Sequence, residues 1–284
     1  MSKITASAAG TITLGDLTVN RMGYGAMRLP GEGVWGEPKD PERARRVLQR
    51  AVELDVNFID TADSYGPEVS ERLIGEALRP YPAGLVIATK GGLLRDGPGL
   101  WRPDGRPSHL RKALEGSLRR LGLERIDLYQ LHRPDPAVPF QESVGELVRL
   151  KDEGKIRHIG LSNVDEEQLD RALGMTEIVS VQNRYNLSDR ASEGVLDRCE
   201  SLGIAFLPWF PLAVGELTRA GNRLAALASE HGATPGQVAL AWLLARSPLL
   251  LPIPGTSSVA HLEDNIAAAA IRLSQDEVEL LAAA

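Results

Sequence analysis

Leu85-Val86-Ile87-Ala88-Thr89-Lys90 is an almost unbroken apolar run that ends on a charge, and Asp127-Leu128-Tyr129-Gln130-Leu131-His132 repeats the pattern further on. Between them Leu110, Ala113, Leu114, Ser117, Leu118 and Leu121 step by three and four, which lays one apolar stripe along a helix. A continuous apolar run, rather than an alternating one, marks a strand buried on both faces of a parallel sheet. Strand, helix and strand therefore form one crossover unit. Outward from it, similar β-rich runs lie at 58–60, 156–162, 178–182, 204–209 and 249–253, and an eighth strand is placed at 21–25. Thr11–Leu14 and residues 17–19 flank Gly15-Asp16, which reads as a hairpin ahead of the first parallel strand. Helix starts are signalled by Asp40-Pro41 and by the capping-box spacings of Thr234 to Gln237 and Ser274 to Glu277. Gly154 and Gly203 mark helix ends.

Eight strands alternating with helices argue for an α/β fold, a (β/α)8 TIM barrel with an N-terminal β-hairpin, built as a single barrel domain over residues 1–284. The competing architecture is a doubly wound open sheet, whose dinucleotide-binding members need Gly-x-Gly-x-x-Gly after the first strand. Here Gly23-Tyr24-Gly25-Ala26-Met27-Arg28 lacks the third glycine. Composition agrees with a globular enzyme: 284 residues, 43% hydrophobic and 25% charged. A net charge of −6 provides no basic field for nucleic acid or anionic lipid. The single cysteine, Cys199, excludes an internal disulfide and a four-cysteine zinc site. No secretory signal is expected in residues 1–10 and no membrane span anywhere, so a cytoplasmic location is expected.

In a parallel barrel the reaction centre lies where the strands end. Those ends carry Asp60, Lys90, His132, Ser162-Asn163, Gln182 and Trp209. Asp60 and Lys90, on neighbouring strands, read either as an ion pair filling the barrel mouth or as part of a proton-transfer site. Tyr65 reads either as an exposed loop aromatic or as a hydroxyl folded back over that pair. A phenol ordinarily titrates near ~10, and an adjacent ammonium is expected to lower this, making Tyr65 a usable general acid. His132 would then donate a hydrogen bond to the reacting oxygen. The five histidines show no metal-ligand spacing, which leaves a metal-dependent barrel hydrolase with little support.

Asp60, Tyr65, Lys90 and His132, in this order at successive strand ends, resemble the catalytic tetrad of the aldo-keto reductase superfamily. Asn57-Phe58-Ile59-Asp60-Thr61-Ala62-Asp63-Ser64-Tyr65-Gly66 is similar to the family's first signature, Gly160-Leu161-Ser162-Asn163 to its second, and Ile253-Pro254-Gly255-Thr256-Ser257-Ser258 with Asn265 to its third. Within the superfamily, Gly23-Tyr24-Gly25-Ala26-Met27, Gly33-Val34-Trp35-Gly36 and residues 255–265 are most similar to a bacterial branch that includes pyridoxal reductases. The resemblance implies a nicotinamide cofactor, NADPH with NADH as the alternative, and reduction of an aldehyde or ketone by hydride transfer with Tyr65 as proton donor.

By the same resemblance Ser162, Asn163 and Gln182 hold the carboxamide of the nicotinamide, and Trp209 stacks on its ring unless it is simply a core aromatic. Pro211, Leu212 and Gly215 run along the pyrophosphate, Gly25, Ala26 and Met27 meet the cofactor, and Thr256, Ser257 and Asn265 take the adenine end. Many family members place Lys or Arg at two positions there for the 2′-phosphate; this chain has Gly255 and His261. Trp35, Trp101, Phe210 and Arg133 are the candidate walls of a pocket for pyridoxal or another planar aldehyde, with loop packing as the plain alternative for the two tryptophans. A more open pocket mouth is expected from the short stretch after the last helix. The partner is a small-molecule carbonyl compound and the chain a monomer. A nucleotide-binding sensor or partner-binding subunit with little turnover is the alternative function.

Overall fold

The computed structural model describes residues 4–212 and 221–283. Seven parallel strands curl into one sheet, in the order β11 (Ala205–Phe206), β10 (Ser180–Gln182), β9 (Ile156–Ser162), β8 (Ile126–Leu131), β5 (Val86–Gly91), β4 (Phe58–Asp60), β3 (Tyr24–Gly25). The run 249–253, expected as a regular strand, forms only a bridge between Phe206 and Leu250. Its main chain nonetheless bonds on both sides: the Phe206 N–H donates to the Leu249 carbonyl, the Leu251 N–H to the Phe206 carbonyl, and the Gly23 N–H to the Pro252 carbonyl. Pro252 and Pro254 have no N–H to offer, so a full ladder cannot form there. The ring closes all the same, and the fold is a (β/α)8 barrel.

The hairpin of β1 (Thr11–Leu14) and β2 (Leu17–Asn20) turns through Gly15, whose φ of 61° suits a residue without a Cβ. It plugs the amino-terminal mouth. Ile12, Leu14, Leu17 and Val19 pack into one cluster with the inward-facing Phe58, Val86, Ala88, Leu128 and Leu251. Asp16 ties the plug down, accepting from Arg157 Nη2 at 2.6 Å and lying 2.5 Å from His158 Nε2.

Helices cover the outer face of the sheet, where a second cluster buries their apolar stripes. α1 (Pro41–Glu53) starts at Asp40, whose carboxylate accepts from the Arg43 N–H at 2.8 Å. α2 (Val69–Leu78) follows β4. α3 (Pro107–Leu121) buries Leu110, Ala113, Leu114, Ser117 and Leu121, with Leu118 of the expected stripe half-buried, and stops at left-handed Gly122. α4 (Phe140–Asp152), α5 (Glu166–Leu173) and α6 (Glu193–Leu202) continue the alternation. α7 (Gly221–Glu230) and α8 (Pro235–Arg246) precede the closing segment, α9 (Val259–Ala267) follows it, and α10 (Gln275–Ala282) ends the chain. The capping boxes at Thr234 and Ser274 form as their spacing predicts. Between β5 and α3 the chain folds into an antiparallel hairpin, β6 (Leu93–Gly97) and β7 (Leu100–Pro103). No helix among the described residues is long and apolar enough to cross a membrane.

Candidate active site

Parallel register brings the strand ends to one mouth, because Gly25 sits opposite Asp60, Asp60 opposite Ala88, Lys90 opposite Gln130, and Gln182 opposite Ser162. Lys90 is wholly buried. Its Nζ donates to Asp60 Oδ2 at 2.6 Å, to the Thr61 carbonyl at 2.8 Å and to the Tyr65 hydroxyl at 3.4 Å. An ammonium has three donors, so none is left over. Asp60 Oδ1 accepts from Gln130 Nε2 at 3.1 Å and Gln182 Nε2 at 2.9 Å. A buried ion pair is tolerable only when its remaining lone pairs are met in this way. Burial pulls the Lys90 pKa down, but Asp60 and, after it, Tyr65 outweigh that pull and raise it above the ordinary value, so the ammonium stays charged.

Tyr65 hangs on the turn after β4 with 5% of its surface exposed, so it is not an exposed loop aromatic. His132 lies edge-on to it, ring centroids 5.8 Å apart. The sequence-based expectation of a lowered phenol pKa is overturned. Burial pushes the Tyr65 hydroxyl above its ordinary value, and the Lys90 ammonium offsets only part of that push. His132, 7% exposed, is driven well below the usual imidazole range by burial, with Lys90 and Arg133 adding to it. It is neutral at pH 7. Its Nδ1 lies 3.3 Å from Ser64 Oγ.

Next to His132, Asn163 adopts a left-handed backbone, φ 58°, a region that asparagine tolerates. Its Nδ2 donates to the His132 carbonyl at 3.0 Å and to Ser162 Oγ at 2.9 Å, while its Oδ1 accepts from Trp209 Nε1 at 3.1 Å. One amide thus orients the His132 main chain and the Trp209 ring together. Tetrad and tryptophan border a cavity of about 350 Å³. Asp60, Tyr65 and His132 lie on its surface, with Lys90 behind them.

Residues 21–284 match the aldo/keto reductase family. The chain belongs to that family. This aldo/keto reductase is 54% identical over 275 residues to an uncharacterized oxidoreductase of Schizosaccharomyces pombe, a match covering 97% of this chain and 90% of the relative. It is 45% identical over 281 residues to pyridoxine 4-dehydrogenase of Escherichia coli, covering 96% and 98% of the two chains. Among solved structures it is similar to an aldo-keto reductase from Klebsiella pneumoniae in complex with NADPH, with TM-score 0.80, 28% identity and coverage of 95% and 93%. The chain is an NAD(P)H-dependent oxidoreductase.

Of the residues that the sequence nominates in this aldo/keto reductase, Gly25, Met27, Ser162, Asn163, Gln182, Trp209, Pro211, Leu212 and Gly255 line the cavity, as do Trp101, Arg133 and Phe210. Ala26 is fully buried and is not part of the lining. Trp35 also stays off the lining; its ring faces the Arg95 guanidinium at 5.6 Å, because β6 and its arginine stand beside it. Thr256, Ser257, His261 and Asn265 gather beyond the lining, at the start of α9 and within it. There the Thr256 carbonyl accepts from Tyr24 Oη at 2.6 Å and the Ser257 carbonyl from Arg43 Nε at 2.8 Å. Gly215 lies outside the described residues. Gln130, Arg28, Leu93, Ile253 and Pro254 were not foreseen. Gln130 had a legible signal, an amide inside an apolar run two residues before His132 and hence on the same strand face.

Proposed function

We propose that this chain reduces an aldehyde or ketone to the alcohol using NADPH, with Tyr65 as proton donor. One observation carries the reading: a charged, fully bonded Lys90 stands 3.4 Å from a buried phenol beside a neutral imidazole, all at the floor of one cavity. When bound, NADPH supplies the hydride. Tyr65 gives its proton to the carbonyl oxygen as negative charge develops there, and Lys90 stabilises the phenolate left behind. Neutral His132 keeps an N–H to donate to the same oxygen, which orients the carbonyl. Asp60, Gln130 and Gln182 keep Lys90 charged and in place.

The cavity suits the cofactor. Trp209 offers an aromatic plate at one end, Ser162, Asn163 and Gln182 offer amide and hydroxyl groups beside it, and Gly25 and Gly255 leave the wall low between them. Gly255 has a packing reason, since a Cβ there would stand 2.7 Å from the Gly25 carbonyl oxygen. Arg28, exposed on the cavity beside Gly255, supplies a permanent cation that Gly255 does not, and this supports NADPH over NADH. The aromatic wall of Trp101 and Phe210 and the pyridoxine 4-dehydrogenase relative support pyridoxal or another planar aldehyde as substrate. Steady-state oxidation of NADPH and NADH with pyridoxal and 4-nitrobenzaldehyde tests this. Turnover by wild type that falls by about 10²–10⁴-fold in Tyr65→Phe, with NADPH affinity kept, is the expected result. Tight NADPH binding with no turnover of any carbonyl would overturn the reading and favour a nucleotide sensor.

A further inference from the structure

Arg95 lies on β6, half-buried, where three segments of chain converge above Tyr65. A guanidinium has five N–H donors in a rigid planar fork. Here every one of them meets a backbone carbonyl: Nε reaches Leu100 at 3.1 Å, Nη1 reaches Val34 at 2.6 Å and Ser64 at 3.2 Å, and Nη2 reaches Gly33 at 2.7 Å and Gly97 at 3.3 Å. Those carbonyls belong to the loop after β3, to the turn that carries Tyr65, and to the β6–β7 hairpin. The guanidinium carbon also lies over the Trp101 ring, 3.6 Å from its centroid. No carboxylate among the described residues pairs with it. Arginine on a protein rim ordinarily faces water or an acid; this one is committed to main chain and to an indole.

The consequence is geometric. Trp101, on a hairpin outside the barrel, stands edge-on to Tyr65 at a centroid distance of 6.4 Å and an interplanar angle of 89°. Ser64, whose carbonyl Arg95 holds, also has its hydroxyl 3.3 Å from His132 Nδ1. Among the described residues β6 and β7 pair with each other and not with the barrel sheet, and besides Arg95 one main-chain bond, from the Gly99 N–H to the Gly33 carbonyl at 3.3 Å, ties the hairpin to the loop after β3. We infer that Arg95 is a positioning residue: it joins the three loops into one wall and holds Trp101 against the reacting end of the cavity, so that the wall selects flat aromatic aldehydes. This inference rests on the reductase reading above. It turns on fork geometry and not on charge, so lysine, with three donors and no plane, should not replace arginine.

Arg95→Lys, Arg95→Gln, Trp101→Ala and the Arg95→Gln/Trp101→Ala pair are compared with wild type using 4-nitrobenzaldehyde and propanal. Both Arg95 variants are expected to raise KM for the aromatic aldehyde about tenfold, with kcat/KM for propanal and the NADPH Kd changed less than about threefold. The double variant should raise KM for the aromatic aldehyde no further than Trp101→Ala does, because Arg95 acts on that substrate through Trp101. Wild-type behaviour in Arg95→Lys, additive losses in the double variant, or an equal loss for both aldehydes would each overturn the inference. Hydrogen exchange supplies an arm independent of turnover and of the glutamine variant's folding. Amides of residues 93–103 should exchange about tenfold faster in Arg95→Lys than in wild type, with those of β5 unchanged; equal protection would overturn the clamp. If wild type binds NADPH but reduces no aldehyde, the reductase reading fails, and the exchange comparison still decides whether Arg95 holds the wall.

Discussion

Tyr65 has its hydroxyl 3.4 Å from an ammonium, yet its pKa lies above that of a free phenol because the surrounding protein removes the water that would solvate a phenolate. In its proposed role as proton donor Tyr65 must hold its proton, so the rate of carbonyl reduction should stay level from neutral pH to about 10 and fall only beyond that. His132 is already neutral, its pKa held well below the ordinary imidazole value. A kcat–pH profile in the reductive direction should therefore show no acid-side fall centred near ~6.5; such a fall would mean that His132 titrates normally. Oxidation of the alcohol needs the phenolate instead and should speed up with rising pH. Lys90 gives a second residue-scale prediction. Lys90→Met leaves Asp60 buried without its counter-charge, which should cost about 3–5 kcal/mol in urea unfolding as well as abolish turnover. Gly255→Lys, meant to restore the family's cation, should lower Tm and not sharpen NADPH preference, because its Cβ meets the Gly25 carbonyl at 2.7 Å.

At the scale of elements, helix starts were the most legible feature, since a cap is chemistry between residues three apart. Thr234 accepts from the Gln237 N–H at 3.2 Å as its spacing predicts, and Thr234→Ala should cost about 1 kcal/mol in thermal unfolding. The amino-terminal hairpin was also visible, as two short apolar stretches around a glycine turn. Its role as a plug was not, because that depends on inward-facing side chains of strands far along the chain. Leu14→Ala, which empties the centre of that plug, should cost about 2–5 kcal/mol and leave the NADPH Kd unchanged. The β6–β7 hairpin escaped the sequence reading altogether. Its strands lack an apolar alternation, and Leu100 and Trp101 remain exposed. Leu93 is the one large apolar side chain that β6 buries, too little to make a period to read.

The molecule as a whole is a ring of strands whose ends converge, and that convergence makes a site out of residues scattered from Gly25 to Gly255. A cofactor laid along this mouth binds the folded chain only, so NADPH at a hundredfold excess over its Kd should stabilise it by about 2.7 kcal/mol, read as a rise in Tm. NADH at the same concentration should give a smaller rise if Arg28 reads a phosphate. Equal rises would remove that role from Arg28.

The sequence by itself determined the alternation of strands and helices, the caps, and the order of Asp60, Tyr65, Lys90 and His132 along the chain. Each is written in local periodicity or in a motif a few residues long. Only the tertiary structure decided that Gln130 joins Gln182 on Asp60, that Trp35 packs beside Arg95 and not in the cavity, and that residues 249–253 close the ring without a regular ladder. It also reversed the sign of the Tyr65 shift. That sign is a difference between the field of one ammonium and the loss of all surrounding water, and the second quantity exists only once every element has packed.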